Sequence, residues 1–168
     1  MATFVGIDPG LGGGLAFYDA VFERLEVYPM PVLVAAKSGK KMVDALSLAR
    51  IFDQYPNIRH IFMEKVSAMP GQGVTSMFNF GISNGILLGV IACAKVPYTM
   101  VVPGVWKRVM GVPANKDAAM LRATQLMPKH AHLWPLKKHD GLAEAALIAL
   151  YGYQNHNKES SPDVDILS

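Results

Sequence analysis

Three short strand-like segments open the chain, and their close spacing constrains the fold more than any other feature. Phe4–Ile7 is an apolar run that stops at Asp8-Pro9-Gly10, which is typical of a buried strand closed by a turn. Gly12-Gly13-Gly14 leads into a second run, Leu15–Tyr18, and Glu23–Tyr28 then alternates polar and apolar residues. Because turns this short join neighbouring antiparallel strands, we expect a three-stranded meander.

The rest of the chain alternates helical and strand patterns. The order predicts a single mixed α/β domain over residues 1–155, with a five-stranded sheet flanked by helices, and a polar tail over residues 156–168. We expect helices at Val43–Tyr55, Thr75–Ala94, Lys116–Leu126 and Gly141–Tyr151, strands at Ile58–Met63 and Tyr98–Val102, and a polar loop at Lys37–Lys41.

The predicted helix Thr75–Ala94 is apolar on several faces and is interrupted by small residues such as Gly81, Gly85 and Gly89. This pattern predicts a buried helix that another backbone approaches closely. The lone cysteine, Cys93, lies in its apolar second half, and we interpret it as a small core residue. One cysteine excludes both an intramolecular disulfide and a multi-cysteine zinc site.

Composition and charge narrow the class of protein. Apolar residues make up 51% of the 168 residues and charged residues 17%, which excludes a disordered chain. The net charge is only +3, but Lys65–Lys138 contains nine basic residues and one acid. This stretch indicates either an anionic partner or a solvated basic face. We find no signal peptide and no apolar run near the roughly 20 residues that span a bilayer, and so expect a soluble cytoplasmic protein.

Two carboxylates, Asp8 and Glu64, each follow an apolar strand-like run directly. Mixed α/β folds place their chemistry at such strand ends. If the two strands are parallel neighbours, the carboxylates emerge side by side and repel unless a cation lies between them. The structural alternative is that Asp8 caps the Pro9-Gly10 turn and that Glu64 is merely exposed.

Asp140 and Glu144 are four residues apart, so a helix places both on one face. A capping role at a helix start would explain Asp140 alone. Together with Asp8 and Glu64 they form a set of hard oxygen donors that suits Mg²⁺ or Mn²⁺. A pair of such ions activates water and stabilises the leaving oxygen in phosphodiester hydrolysis.

The order and spacing of several short motifs resemble the RuvC family of Holliday junction resolvases, over roughly residues 3–154. No single motif is specific, but their combination is. Val105-Trp106-Lys107 and Asn115-Lys116-Asp117 make the chain most similar to the phage-type branch. The other motifs are Gly6-Ile7-Asp8-Pro9-Gly10, Met63-Glu64, the glycine-rich segment Phe78–Val90, and His139-Asp140-Gly141-Leu142-Ala143-Glu144-Ala145.

This resemblance implies a ribonuclease H-like fold, a homodimer and a metal-dependent endonuclease that nicks opposed strands of four-way and other branched DNA. It implies that the metal-binding catalytic acids are Asp8, Glu64, Asp140 and Glu144. Lys116, and less directly Lys107, match the family's basic residues near the scissile phosphate, where an ammonium holds a phosphate as a point charge. Further DNA contacts are expected from Lys65, Met69, Gln72, Arg108, Lys137 and Lys138.

Two departures from the family pattern bear on details. The closing acids are four residues apart instead of three, and His139 precedes them as an extra ligand, a proton carrier or only a neighbour. Ser67 stands where many cellular members carry an aromatic residue that stacks on unpaired bases. Met69, in the loop that follows, is the candidate wedge in its place.

Two other function classes compete with a nuclease. An inactive branched-DNA-binding module requires that the acids fail to converge. An actin-like phosphotransferase also opens with a strand, an Asp-x-Gly turn and glycines, but it needs two such domains. The run Gly12-Gly13-Gly14 lacks the Gly-Lys-Ser/Thr of a phosphate-binding loop. Trp106 and Trp134 are candidates for base stacking, although we expect core packing for at least one of them.

Overall fold

Seven strands form one five-stranded sheet and one small hairpin in the computed structural model, which describes residues 2–67, 71, 73–115 and 118–156. The large sheet has the order β3-β2-β1-β6-β7, and β4 pairs with β5. The strands are β1 (Thr3–Asp8), β2 (Gly14–Asp19), β3 (Arg24–Pro29), β4 (Val32–Val34), β5 (Lys41–Val43), β6 (Ile58–Glu64) and β7 (Tyr98–Val101).

Strand pairing confirms the three-stranded meander and shows that β1 and β6 are parallel neighbours. β1, β2 and β3 are successively antiparallel, while β6 runs parallel to β1 and β7 runs parallel to β6. Ile7 pairs with Met63, so Asp8 and Glu64 end their strands on the same edge. We call this edge, which also includes the end of β7 at Val101, the carboxyl edge.

Helices cover both faces of the sheet. One face packs on α1 and α2 through a core that includes Leu15, Leu48 and Leu87, and the other packs on α3, α4 and α5 through a core that includes Phe62 and Trp106. This three-layer arrangement confirms the predicted α/β class. The helices are α1 (Ala45–Phe52), α2 (Val74–Cys93), α3 (Pro103–Met110), α4 (Ala118–Leu126) and α5 (Asp140–Asn155), and short 3₁₀ turns span Pro128–Leu133 and Lys137–His139.

Helix α5 lies directly against the central strands because two glycines leave room for it. A Cβ at Gly6 of β1 would overlap the backbone of Ala145 and Ala149, and a Cβ at Gly152 would overlap the ring of Phe62. This close approach holds the first turns of α5 beside the end of β1.

Helix α2 differs from the prediction of a buried helix. Only Ser83, Leu87 and Ile91 are buried, along one stripe that meets the sheet and α1. Added Cβ atoms at Gly81, Gly85 and Gly89 would meet nothing within 4 Å. High apolar content around the whole helix therefore does not correspond to burial within one chain.

Cys93 is exposed, so the prediction of a core cysteine is wrong. The expectation that no apolar segment reaches membrane-spanning length is also wrong: α2 has 20 residues and a mean hydropathy of 1.5. Only 17% of that segment is buried, and length and composition alone are weak evidence for a membrane span.

Helix α3 and the strands of the β4–β5 hairpin were not predicted from the sequence. Helix α3 begins at Pro103, directly after the predicted strand Tyr98–Val102. The segment before α1 is a β4–β5 hairpin, and α1 begins at Ala45 because the Asp44 carboxylate accepts hydrogen bonds from the backbone N–H groups of Leu46 and Ser47 at 3.1 and 3.2 Å. The predicted polar tail lies almost entirely in residues 157–168, outside the described residues.

Candidate active site

Asp8 lies at the carboxyl end of β1, in a pocket of backbone atoms. A Cβ on Gly13 would lie 2.8 Å from its Cγ, and a Cβ on Gly141 would lie 3.0 Å from its Oδ2. The backbone N–H of Gly10 reaches Oδ1 at only 3.5 Å, the outer limit of a hydrogen bond. A turn cap therefore accounts poorly for Asp8, whose carboxyl lies against the first turn of α5.

Glu64 ends the neighbouring parallel strand, and helix α3 fixes its orientation. The indole Nε1–H of Trp106 donates a hydrogen bond to Glu64 Oε2 at 2.8 Å. Trp106 is fully buried, so the indole is held by its packing. One carboxylate oxygen of Glu64 is therefore held by the protein.

Glu144 projects from the second turn of α5 and pairs with the residue that follows Trp106. Lys107 Nζ donates to Glu144 Oε1 at 2.6 Å, and the Glu144 side chain is 17% exposed. The ammonium also lies 5.2 Å from the centre of the Trp106 ring. Consecutive residues of α3 thus reach two different carboxylates.

The pKa shifts indicate that the three carboxylates share one electrostatic field. Burial raises the pKa of Asp8 to about 7, with further increases from the charges of Glu144 and Glu64. Burial also raises the pKa of Glu64; the hydrogen bond from Trp106 opposes that shift, and the charge of Glu144 adds to it. The negative charge of these carboxylates therefore exceeds the positive charge that the described residues around them supply.

Lys107 supplies positive charge to this field. Burial acts to lower its pKa, but the hydrogen bond and charge of Glu144, with smaller contributions from Glu64 and Asp8, outweigh burial and raise the pKa. The lysine is therefore protonated at neutral pH and acts as the counterion that the protein itself provides.

Asp140 and His139 begin α5 next to Gly141, the residue that touches Asp8. His139 occupies the cap position, where its backbone N–H donates to the carbonyl of Leu136 at 2.8 Å. Within the part of the chain that the structure describes, His139 Nδ1 is a buried nitrogen with no hydrogen-bond partner. The structure thus places all four predicted acids on three elements that meet at the carboxyl edge.

The donor set suits a hard divalent cation, because carboxylates from β1, β6 and α5 meet with excess negative charge. In the arrangement seen here, no three His, Cys, Asp or Glu side chains among the described residues are close enough to ligate one ion together. Glu144 is instead engaged by Lys107. Lys107 occupies Oε1 of Glu144, so an ion would bind this carboxylate through Oε2 or by displacing the ammonium.

Besides Lys107, four of the predicted DNA contacts lie on described segments within or next to β6, α3 and α5: Lys65, Arg108, Lys137 and Lys138. Lys65 follows Glu64 directly, and its backbone N–H donates to the carbonyl of Val101 at 2.8 Å. Arg108 is exposed on α3, and Lys137 and Lys138 are exposed in the 3₁₀ turn before α5. Met69, Gln72 and the predicted catalytic lysine Lys116 lie outside the described residues.

Neither tryptophan is positioned to stack on a base. Trp106 is fully buried, and Trp134 is 2% exposed with its Nε1–H donating to Thr124 Oγ1 at 3.0 Å. The expectation of core packing is therefore confirmed for both.

Sequence reasoning missed the two contacts that organise the acids, Trp106 with Glu64 and Lys107 with Glu144. Each pair is separated by about 40 residues, 42 and 37 respectively, so no local spacing signals it. The adjacent Trp106-Lys107 pair in a basic stretch was the only available signal.

Comparisons with known proteins identify the fold. No family model matches the chain, and no curated protein matches its sequence. Among solved structures, the chain is similar to Thermus thermophilus RuvC in complex with a Holliday junction substrate, with a TM-score of 0.61 and 20% identity over 95% of this chain and 97% of that chain. It is also similar to another Thermus thermophilus RuvC structure, with a TM-score of 0.51 and 20% identity over 94% and 95% of the two chains.

Proposed function

We propose that the chain is a Holliday junction resolvase: an endonuclease that uses a divalent metal to nick opposed strands of four-way and other branched DNA. The fold is that of RuvC structures, one of which holds a Holliday junction substrate. The observation that carries the proposal is the meeting of Asp8, Glu64 and Glu144 in one under-compensated field at the carboxyl edge. A fold can host many functions, so these residues, more than the likeness, support the chemistry.

The proposed metal ligands are Asp8, Glu64, Asp140 and Glu144. A bound Mg²⁺ or Mn²⁺ would supply a water nucleophile at neutral pH and charge stabilisation at the leaving oxygen. His139, with its buried Nδ1, is a further candidate for contact with the metal or a proton.

The protein's own residues orient and compensate the acids. Trp106 holds one oxygen of Glu64, which leaves the other oxygen for a ligand. Lys107 compensates the charge of Glu144 through its ion pair, and we propose that its ammonium contacts a phosphate of the bound DNA. Lys116 is proposed as a second lysine at the scissile phosphate, where it stabilises charge that grows in the transition state. Lys116→Ala should then slow single-turnover cleavage more than it weakens binding; lost affinity at an unchanged rate would reduce Lys116 to a backbone contact.

We further infer a homodimer that contacts through α2. Two opposed cuts require two sites related by symmetry, and α2 presents exposed Gly81, Gly85 and Gly89 with exposed Phe78 at 67%. Small residues at this spacing let two helices approach closely, and burial of this face would remove an exposed apolar surface from water. A monomer in sedimentation at micromolar concentration, both free and with junction DNA, would refute the dimer.

The phage-type branch and a cytoplasmic location are part of the proposal. The first rests on the Val105-Trp106-Lys107 and Asn115-Lys116-Asp117 motifs, and the second on the expected DNA substrate.

The direct test compares nicking of a synthetic four-way junction with nicking of a linear duplex of the same arm sequence, with Mg²⁺ and with EDTA. We expect paired nicks in the junction with Mg²⁺ only, and little cutting of the duplex. Equal cutting of both substrates would point to a nuclease without junction selectivity. No cutting of either with Mg²⁺ or Mn²⁺ would favour the inactive binding module.

A further inference from the structure

The β4–β5 hairpin carries a basic surface that lies outside the predicted DNA-binding stretch. Residues 27–43 contain Lys37, Lys40 and Lys41 and no acid, so this short segment alone has a surplus equal to the net charge of the chain, +3. All three lysines are exposed, and no carboxylate among the described residues pairs with them. We call Lys37, Lys40 and Lys41 the hairpin lysines.

The hairpin leaves the sheet beside the candidate active site. Asp8 pairs with Gly14, and Gly14 pairs with Pro29, so the end of β3 lies on the same edge as Asp8, two strands away. At strand spacing this separation is roughly 10 Å. The N–H of Met30 donates to the carbonyl of Gly13 at 3.0 Å, which ties the root of the hairpin to the turn that packs on Asp8.

The hairpin has a defined structure without a partner. Ala35 N–H donates to the carbonyl of Lys40, and Gly39 N–H donates to the carbonyl of Ala35, both at 2.8 Å. Gly39 has a φ of 64°, in the left-handed region where glycine is favoured. At its other end Val43 is buried, and β5 packs against α2. The lysines are therefore presented from an ordered arm instead of a loose loop.

We propose that the hairpin lysines bind the phosphate backbone of a duplex arm next to the cut site; this rests on the proposed function. The tip at Lys37 lies five residues beyond Val32, a reach of roughly 15 Å in extended chain. One strand of duplex DNA has a phosphate about every 3.4 Å of rise, so the contacts fall about four or five nucleotides from the root of the hairpin. Lysines act here as point charges and add affinity without sequence preference.

The test replaces the hairpin lysines together (Lys37→Gln, Lys40→Gln and Lys41→Gln), which keeps most of each stem and removes the charge. A matched control replaces three exposed basic residues that lie outside both the hairpin and the Lys65–Lys138 stretch: Arg24→Gln, Arg50→Gln and Arg59→Gln. Binding to a four-way junction is measured by fluorescence anisotropy without divalent metal, across a range of salt concentrations. Circular dichroism verifies that both triple variants fold.

We expect the hairpin variant to bind about 10- to 100-fold more weakly at 100 mM salt and to lose about 2 to 3 from the slope of log affinity against log salt, since each phosphate contact contributes about 0.9. The control should change the slope by less than about 0.5. The nicking rate at saturating DNA should stay unchanged, because these lysines lie outside the catalytic machinery.

Equal slopes for the two triple variants, or a wild-type protein that binds no DNA, would overturn the proposal. An unchanged slope with a shifted monomer–dimer equilibrium would also overturn it, and would assign the hairpin to a contact between copies of the chain. Because binding is measured without metal, a protein that never nicks DNA but shows the slope change would contradict the resolvase and leave the hairpin surface standing.

Discussion

The carboxylates Glu26 and Asp8 have opposite environments, and their pKa values shift in opposite directions. Glu26 on β3 is surrounded by donors: the Tyr55 hydroxyl at 2.5 Å, the Tyr28 hydroxyl at 3.2 Å and the Arg24 guanidinium at 2.5 Å. The hydrogen bond from Tyr55 is the main cause that lowers its pKa, against the effect of burial. Glu26 is a carboxylate whose charge the fold accommodates.

Asp8 at the carboxyl edge has the reverse environment. Burial, Glu144 and Glu64 raise its pKa to about 7, and only the long contact from Gly10 and the charge of Lys107 oppose them. The two acids differ in both burial and compensation. The Glu26 side chain is 33% exposed and hydrogen-bond donors compensate its charge, whereas Asp8 is desolvated among like charges, which is the environment typical of a functional site.

The largest effect is expected from amide replacement of the edge acids. Asp8→Asn, Glu64→Gln, Asp140→Asn and Glu144→Gln should each reduce junction nicking by about 1,000-fold or more, because an amide keeps the shape but loses the charge that holds a divalent cation. Glu26→Gln is the matched control and should retain nicking. Gel assays under single-turnover conditions measure both. Wild-type nicking by Asp8→Asn would refute the metal site; for Glu144→Gln it would shift the last ligand to His139.

Trp106→Phe removes the indole hydrogen-bond donor to Glu64, and so tests how far a donor matters to an acid at the carboxyl edge. The substitution keeps an aromatic ring in the core but loses the N–H that orients Glu64, so the Mg²⁺ concentration for half-maximal nicking should rise about 10- to 100-fold. Nicking at saturating metal should recover most of the wild-type rate. A rate that falls equally at every metal concentration would mean that Trp106 only packs.

The raised pKa of Asp8 predicts a pH dependence of stability in metal-free protein. The unfolded-state pKa is near 3.8 and the folded value about 7, so the stabilising contribution is complete below pH 3.8 and is lost as pH rises to 7. Relative to Asp8→Asn, the wild type should lose about 2 kcal/mol over this range, allowing for partial exposure of the carboxyl. Urea unfolding in EDTA measures the difference. Parallel curves of unfolding free energy against pH for the two proteins would show that the pKa of Asp8 is not raised in the folded state.

The smallest effect is expected from a change next to Glu26, whose charge is already compensated by hydrogen-bond donors. Tyr55→Phe removes the hydroxyl that donates to Glu26 and bonds Tyr28 at 2.7 Å, but it keeps the ring stacked on Phe17. Stability should fall by about 1 kcal/mol with no change in nicking or metal dependence. If this variant altered metal dependence, Glu26 and the edge acids would be coupled, and their separation into structural and functional acids would fail.

The sequence was most informative about the sheet, because strand ends and the order of the strands along the chain limit how the strands can be arranged. The sequence places Asp8 and Glu64 each at the end of a strand, and their convergence follows if the two strands are parallel neighbours, which is the pairing that β1 and β6 adopt. Helix α3 could not be predicted, because Pro103 reads equally as the end of a strand and as the first residue of a helix.

Burial and pairing were harder to predict than topology. Helix α2 is apolar all around, and only the packing of three residues shows which stripe is buried in this chain. The sequence gives no lysine at helical pairing distance after Glu144; the partner, Lys107, comes from another helix that only the tertiary fold brings near. For the same reason, the hydrogen bond from Trp106 to Glu64 has no local signature.

Metal binding, measured separately from cleavage, tests the central claim most directly. Mn²⁺ is titrated by calorimetry into metal-free wild type, Asp8→Asn and the control Glu26→Gln. The account predicts saturable binding by the wild type and by Glu26→Gln, and at least about 100-fold weaker binding by Asp8→Asn, because the acids at the carboxyl edge and not Glu26 hold the ion. Equal Mn²⁺ affinity of Asp8→Asn and wild type, or no saturable binding by the wild type, would contradict it.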